Sequence, residues 1–356
     1  MPQPEGASVT ARISVCIPAY NRAALLPALL ESILSQDYAD FEILICEDDS
    51  PERQGIATVA ARYSAVHPGR VRYFENKQNL GYDRNLRRLI ELAKGDYCMF
   101  MGNDDLLAPG ALQCVASAIA RHPEVGVVVR SYASFDEDPA RINQEFRYFE
   151  SERFFPAGSE SIVTVFRRCV VISGVTLHRG LARSLATDGV DGTLLYQIYL
   201  VARIVGRMNA VFVPQIIALY RNGGIPDFGH APSERGKFVP RTRTIESSLH
   251  FMRGMLQVAQ YVEVADKLPI HDAILQDISR YSYPVLSVQA DKPLREFLGY
   301  ARELRRMGFA RSGMFNLYLA ALLLLGPRGT ECVIQFVKRR LGYTPTLGKL
   351  YKGRAA

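Results

Sequence analysis

Asn103-Asp104-Asp105 sets two carboxylates side by side directly after the apolar run Tyr97-Cys98-Met99-Phe100-Met101. Adjacent like charges repel, so the pair needs a reason to stand at a strand end. A hard divalent cation supplies one. Mg²⁺ or Mn²⁺ prefers oxygen ligands, often takes only one or two from protein, and leaves its other positions to phosphate and water. Such an ion would neutralise a diphosphate and stabilise it as it departs. Taken alone, the pair reads equally well as an Asx-type turn capping a helix that begins near Pro109. Two further polar clusters shift the balance. Asn21-Arg22 follows the apolar run Ile13 to Ile17, and Glu47-Asp48-Asp49-Ser50 follows Phe41 to Cys46. Asp48 and Asp49 could accept hydrogen bonds from a nucleobase edge and a ribose hydroxyl, or form a solvated turn before Pro51. Arg22, Lys77 and Arg84 could offset diphosphate charge.

The segments between these clusters must position them. Short β-rich runs at 13–17, 41–46, 71–74, 97–101 and 125–129 predict strands. Leu25, Leu26, Leu29, Leu30, Ile33 and Leu34 recur at helical spacing, with Pro27 near the helix start. A second helix is expected over 55–66. Leu86, Leu89, Ile90 and Ala93 mark a third that stops at Gly95, and Leu112, Val115, Ala116 and Ile119 a fourth. Strands alternating with helices through short links predict an α/β fold, its mainly parallel sheet covered on both faces. Ligands of such sheets bind beyond the carboxyl ends of the strands, so the three clusters are expected at one edge.

The 356 residues, 48% hydrophobic and 22% charged, suit a globular core and exclude a disordered chain. The net charge of +7 suits a nucleic acid, a membrane surface or a phosphate-bearing substrate. The positive residues gather at the end: Arg328, Lys338, Arg339, Arg340, Lys349, Lys352 and Arg354 face Glu331 alone. No recognised nucleic-acid-binding module accompanies them, so nucleic acid is not an expected partner. None of the six cysteines is in a CxxC pair, and they read as buried, reduced thiols with no zinc site. The opening MPQPEGASVTAR has no apolar stretch, so no secretory signal is expected and the location reads as cytoplasmic. Leu317 to Leu325 is too short to span a bilayer, and no run of about twenty apolar residues is found. It reads as a buried helix of a C-terminal bundle. The alternative is an interfacial helix, held by Lys338-Arg339-Arg340 at the cytoplasmic face of an inner membrane. IPDFGHAPSERGKFVPR, rich in Pro, Gly and charge, reads as a linker or mobile loop.

ISVCIPAYNRAALLPALLESILSQDYADFEILICEDDS resembles the opening of glycosyltransferase family two, the inverting nucleotide-sugar transferases of the GT-A fold. NLGYDRNLRRLIELAKGDYCMFMGNDD is similar to that family's next block, which ends in its metal-binding acids. The resemblance implies a Rossmann-like GT-A domain over 12–225, with a nucleotide-sugar half at 12–130 and an acceptor-side half at 131–225. Residues 1–11 would then be a flexible N-terminus and 226–356 a helical C-terminal region with a basic tail. Carried over by position, Pro18, Ala19 and Tyr20 would line the nucleotide pocket, and Asp49 would hold the base, with Glu47 and Asp48 nearby. Asp105 would ligate Mn²⁺ or Mg²⁺, and Asp104 would contact the sugar or ribose or share the metal. Many members carry an acid where Gly102 stands, so which acid touches the metal is left open.

The implied reaction is a direct displacement at the anomeric carbon, assisted by one carboxylate base and one metal. The base is expected in ATDGVDGTLLYQIYLVARIVGR, where Asp191 is favoured over Asp188 because it precedes a probable helix; an N-cap role for Asp191 is the alternative. SGVTLHRGLA resembles the block under the acceptor site, which implies acceptor-side roles for Gly174 and His178; His178 is otherwise a packed, hydrogen-bonded residue. DGTLLYQIYLV is similar to the abequosyltransferase-like group, which adds deoxysugars in O-antigen assembly. The expected activity is transfer of a sugar, a deoxysugar in that group, from a nucleoside diphosphate to a hydroxyl of a glycan acceptor. A lipid-linked saccharide in bacterial O-antigen or capsule assembly would suit, and a homo-oligomer is left open. Two alternatives stand. A sugar nucleotidyltransferase would show a glycine-rich basic loop after the first strand, which PAYNRAALL lacks. A non-catalytic nucleotide-sugar-binding protein is the other.

Overall fold

The computed structural model describes residues 11–122, 124–224, 226–341 and 349–351. β1 (Ile13–Ala19) and β2 (Phe41–Glu47) are apolar along almost their whole length because both faces of their sheet are covered. Ile13, Val15, Ile17, Ile43 and Ile45 enter one apolar cluster, while Cys16, Leu44 and Cys46 enter another on the opposite face. α1 (Leu26–Leu34) joins the first cluster through Leu26, Leu29, Leu30 and Ile33, and Pro27 sits in its first turn, where no intrahelical N–H is needed. After β2 come α2 (Arg53–Val66), β3 (Val71–Glu75), α3 (Tyr82–Leu92) and β4 (Tyr97–Phe100). Leu86, Leu89 and Ile90 of α3 bury against the other cluster.

The strand order β3-β2-β1-β4 is parallel throughout, as the alternating pattern predicts. Ala19 pairs with Glu47, and Cys16 pairs with Phe100. That register brings the ends of β1, β2 and β4 to one edge. The chain continues through β5 (Leu106–Leu107), α4 (Ala111–Arg121), β6 (Val125–Phe135), β7 (Ile142–Arg147), β8 (Arg153–Phe155), α5 (Ser159–Phe166), β9 (Thr176–His178), α6 (Arg179–Ser184), α7 (Tyr196–Val205) and β10 (Asn209–Arg221). β9 enters antiparallel between β4 and β6, and β10 runs parallel to β6.

The C-terminal helices are α8 (Ile245–Asp266), α9 (His271–Arg280), α10 (Tyr283–Ser287), α11 (Leu294–Arg306) and α12 (Gly313–Leu341). Val258, Ile278 and Tyr300 belong to the same apolar cluster as Leu86 and Phe166, so these helices pack on the α3–α5–α7 face of the sheet. The last strand, β11 (Lys349–Tyr351), pairs antiparallel with β7.

Three expectations change. The segment 226–243 is not a linker but a strap bonded to the first half. Asp227 accepts from Asn21 Nδ2 at 2.7 Å, and the Glu234 carboxylate accepts the N–H groups of Tyr82 and Gly229, each at 2.8 Å. Its Pro, Gly and charge content hid these partners, which lie far away in sequence. Leu317–Leu325 is not simply buried: Phe315, Leu319 and Leu322 face inward, but Leu317, Leu324 and Leu325 are 59%, 83% and 51% exposed. With its neighbours it forms Gly313–Ile334, of mean hydropathy 1.4, long and apolar enough by length and composition to cross a membrane. Gly326 (φ 67°) and Pro327 interrupt that helix, and Gly313–Leu325 alone spans about 20 Å, short of a hydrocarbon core. Among the cysteines, Cys16, Cys46, Cys98 and Cys169 are buried as expected, whereas Cys114 is half-buried and Cys332 exposed.

Candidate active site

β1 ends in a turn where Asn21 and Arg22 both adopt left-handed φ values, 54° and 64°. The turn lets the Asn21 carbonyl accept from Asn103 Nδ2 at 2.9 Å and brings the Arg22 guanidinium to 2.7 Å from Asp104. Asp105 lies behind, 3% exposed. One of its oxygens accepts the Arg221 N–H at 2.9 Å and the other accepts the Ser173 hydroxyl, whose oxygen accepts the Gly102 N–H at 2.9 Å. Burial and the adjacent Asp104 push the Asp105 carboxyl up to about 7, against the opposing bonds from Ser173 and Arg221. A Cβ at Gly102 would stand 3.0 Å from Asp105 Oδ2 and 3.3 Å from Asp104 Oδ1. Both carboxylates therefore crowd the space left by the absent side chain, and a larger residue there requires them to shift. Among the described residues no group of three or more His, Cys, Asp or Glu side chains could hold a metal. The donor set is two hard carboxylates at most, and it suits Mn²⁺ or Mg²⁺ whose remaining ligands are phosphate and water.

At the end of β2 the acids separate by role. Glu47 is buried and accepts the N–H groups of Asp49 (2.9 Å) and Ser50 (2.7 Å) and the Arg53 Nε–H (2.8 Å), so it builds the turn. Asp49 adopts φ 56° and points outward, 44% exposed, toward Arg53 at 3.1 Å. Asp48 turns inward. It accepts from Leu80 and Gly81 N–H, each at 2.9 Å, and from Asn76 at 2.8 Å, and burial lifts its pKa to about 6.

A cavity of about 570 Å³ joins these ends. Pro18, Tyr20, Arg22, Asp48, Asn103, Asp104 and Asp105 line it, so seven of the expected residues share one cleft. Ala19, Glu47, Asp49, Arg84, Gly174, His178, Asp188 and Asp191 are not in its wall. Neither candidate for the base reaches that wall. Asp191 is held by Arg84 at 2.7 Å and Arg87 at 3.0 Å on the flank of α3, and Asp188 is exposed. Nor does Asp191 cap α7, which begins at Tyr196. The segment is fixed by buried Asp83, which accepts from Gly192, Leu194 and Tyr196 N–H at 2.8–3.0 Å. His178 caps α6, its Nδ1 accepting from Leu181 N–H at 3.2 Å, and its ring meets Tyr97 edge-on. Gly174 (φ 82°) passes close to Arg130, where a Cβ would come within 3.3 Å of the side chain.

Two contributors escaped the sequence reading. Arg130 is fully buried and donates to the carbonyls of Ser173 (2.7 Å), Arg168 (3.1 Å) and Val171 (2.6 Å), fixing the turn that carries Ser173. The strap places Asp227, His230 and Glu234 in the cavity wall. His230 Nε2 is 3.0 Å from Asp227, and its ring lies 5.4 Å from that of Tyr20. The Asp-x-x-His spacing was the available signal, but nothing local tied it to Tyr20.

The glycosyl transferase family 2 model matches residues 14–171. Protein MT1568 of Mycobacterium tuberculosis is 30% identical over 243 residues, 65% of this chain and 74% of that one. Abequosyltransferase RfbV of Salmonella typhimurium is 33% identical over 124 residues, 35% of this chain and 37% of that one, so little more than a third of that relative is spanned. TarS 1–349 of S. aureus, solved with UDP-GlcNAc, gives a TM-score of 0.55 at 13% identity over 97% of both chains. The mannosyltransferase PcManGT of Pyrobaculum calidifontis, solved with GDP-Man and Mn²⁺, gives 0.51 at 16% identity over 89% of this chain and 87% of that one. At these identities the structural likeness is one of fold. The chain belongs to glycosyl transferase family 2, a glycosyltransferase built on a mixed α/β, GT-A-like fold with C-terminal helices.

Proposed function

We propose that the chain is an inverting, metal-dependent transferase that moves a sugar from a nucleoside diphosphate to a hydroxyl of a lipid-linked glycan. We place it at the cytoplasmic face of a bacterial inner membrane, in surface-polysaccharide assembly. The observation that carries this reading is the convergence of Tyr20, Arg22, Asp48, Asp104 and Asp105, from three strand ends, on one cavity. The nucleotide-sugar ligands of the two similar folds support a donor of that class, and the name of RfbV supports a deoxysugar.

Asp104 and Asp105 would hold Mn²⁺ or Mg²⁺, which when bound neutralises charge on the departing diphosphate. Arg22, beside Asp104, adds a guanidinium to the same phosphates. Asp48 and Tyr20 face the nucleoside. The displacement also needs a proton acceptor within the cavity. Asp48 and Glu234 are each occupied by backbone N–H groups, and Asp104 and Asp105 serve the donor. We therefore assign the base to Asp227, oriented by His230. Burial raises the Asp227 pKa, but bonds from His230 and Asn21 outweigh it and leave the carboxyl below its ordinary value, ionised at neutral pH.

A thermal-shift panel of UDP-, dTDP-, GDP- and CDP-sugars with and without Mn²⁺ tests the donor and metal assignments. A ligand at a hundred times its Kd stabilises the native state by about 2.7 kcal/mol. One donor class should raise the melting point in a Mn²⁺-dependent way, and Asp105→Ala should erase the metal dependence. A parent protein that responds to none of the four overturns the donor assignment.

A further inference from the structure

We propose that the apolar side of the cavity seats the hydrocarbon chain of the lipid-linked acceptor; this deepens the transferase reading and rests on it. Part of the cavity wall is made by Val171 and Ile172 from the turn after α5, by Phe251 and Met252 of α8, and by Val285 and Val288 around α10. Ser247 and Ser248 also reach this wall, but Ser247 is bonded to Thr244 and Ser248 to Gln289. A hydrocarbon lying against Val171, Ile172, Phe251, Met252, Val285 and Val288 removes apolar surface from water, while Gln197, Thr242 and Arg243 give the same cavity polar atoms for a saccharide.

An independent observation names the source of that hydrocarbon. Val288 lines the cavity and is also 37% exposed. Within ten residues the chain adds exposed Leu294 and Leu298 of α11, which are 63% and 39% exposed. α10, whose Pro284 and Val285 wall the cavity, packs outward on α12: the Tyr283 ring lies 5.7 Å from that of Tyr318, and its hydroxyl donates to Glu331 at 2.8 Å. α12 carries the exposed Leu317, Leu324 and Leu325. The neighbouring Arg295 and Arg328 are exposed cations that suit the anionic groups of a lipid diphosphate and of a bilayer surface. One short helix thus separates an apolar cavity wall from an apolar, basic outer face. A chain drawn from a membrane beside α11 and α12 would pass Val288 and leave its saccharide end toward the acids.

The sequence contains no tryptophan, so a single introduced indole reports alone. The experiment uses the full chain carrying Phe251→Trp, with Met252→Trp as a second reporter should the first fold poorly, and farnesyl phosphate as the probe. A saturable emission change is expected with farnesyl phosphate and none with inorganic phosphate at the same concentration. Val288→Asp should weaken the response by at least about tenfold, because the chain must then pass a carboxylate. Leu324→Asp on α12 should leave it unchanged. An equal response to inorganic phosphate, no response with either reporter, or loss with Leu324→Asp instead of Val288→Asp overturns the proposal. Nucleoside diphosphate binding, followed by thermal shift in the same proteins, separates the two readings: its absence counts against the transferase reading, while the farnesyl response judges the apolar site.

Discussion

Replacing Arg130 with Met should lower both stability and turnover, although Arg130 touches neither Asp104 nor Asp105. The guanidinium is fully buried and donates to three main-chain carbonyls, those of Arg168, Val171 and Ser173, at 2.6–3.1 Å. Met fills similar volume but donates nothing, so those carbonyls lose their donor. Hydrogen bonds to a charged group contribute about 1.5–3 kcal/mol each, and removal of the guanidinium's own desolvation offsets part of the loss. A net destabilisation of about 3 kcal/mol follows, which for a chain of this size is about 4 °C in Tm. The functional consequence runs through Ser173. Its hydroxyl donates to Asp105 and its oxygen receives the Gly102 N–H, so a displaced turn loosens the acid pair. Urea denaturation gives the stability change, and donor turnover well below the transition gives the second readout. The apparent Mn²⁺ affinity should fall in the folded variant, which a purely structural loss would not cause. Arg130→Lys, which keeps the charge but not the planar fork, should fall between Met and the parent. A folded Arg130→Met protein with parental stability, or with parental metal dependence, would refute the argument that this buried cation positions the site.

Four further outcomes follow. Asp48 has a folded pKa raised from 3.8 to about 6, so the fold favours its protonated form. Its contribution to stability is largest below pH 4 and is lost as pH rises toward 6, reaching a penalty of about 3 kcal/mol. Asp48→Asn does not titrate, so it should gain on the parent between pH 4 and 6 in pH-resolved urea melts and keep that gain above pH 6; a pH-independent difference removes the assignment. Asp227→Asn should cut kcat about a hundredfold or more with nucleotide binding retained, whereas Asp191→Asn should leave kcat within a few-fold of the parent; the reverse pattern would return the base to Asp191. Gly102→Ala should weaken Mn²⁺-dependent stabilisation, because its Cβ would stand 3.0 Å from Asp105; an unchanged Mn²⁺ titration would separate that space from the metal. Asp83→Ala should destabilise by about 2–4 kcal/mol by leaving three buried N–H groups unpartnered, read from thermal melts.

The limits of the sequence follow from how far each feature's partners lie along the chain. The parallel core was legible because its signals are local: continuous apolar runs in β1 and β2 and a helical face in α1 each close within ten residues. Position at a strand end is nearly local too, and so the clefts at Arg22, Asp48 and Asp104-Asp105 could be found. Within Glu47-Asp48-Asp49 the pattern failed, because three adjacent acids are distinguished only by backbone φ. The left-handed Asp49 turns its carboxylate out and leaves Asp48 inward. Asp191 lies outside the cavity wall for a different reason. Preceding a helix looks like pointing at a pocket, but its fate was decided by Arg84 and Arg87 on α3, more than a hundred residues earlier in the chain. The strap is the same problem with opposite sign. Its Pro, Gly and charge content reads as solvent-exposed chain, yet Asp227 reaches Asn21 across 206 residues and Glu234 reaches Tyr82 across 152. Charged loop residues look alike in sequence whether water or distant protein groups satisfy them, and the strap's acids are of the second kind. A base assignment for such a fold is therefore better drawn from which carboxylates remain unclaimed by backbone donors inside the cavity than from which acids precede a helix.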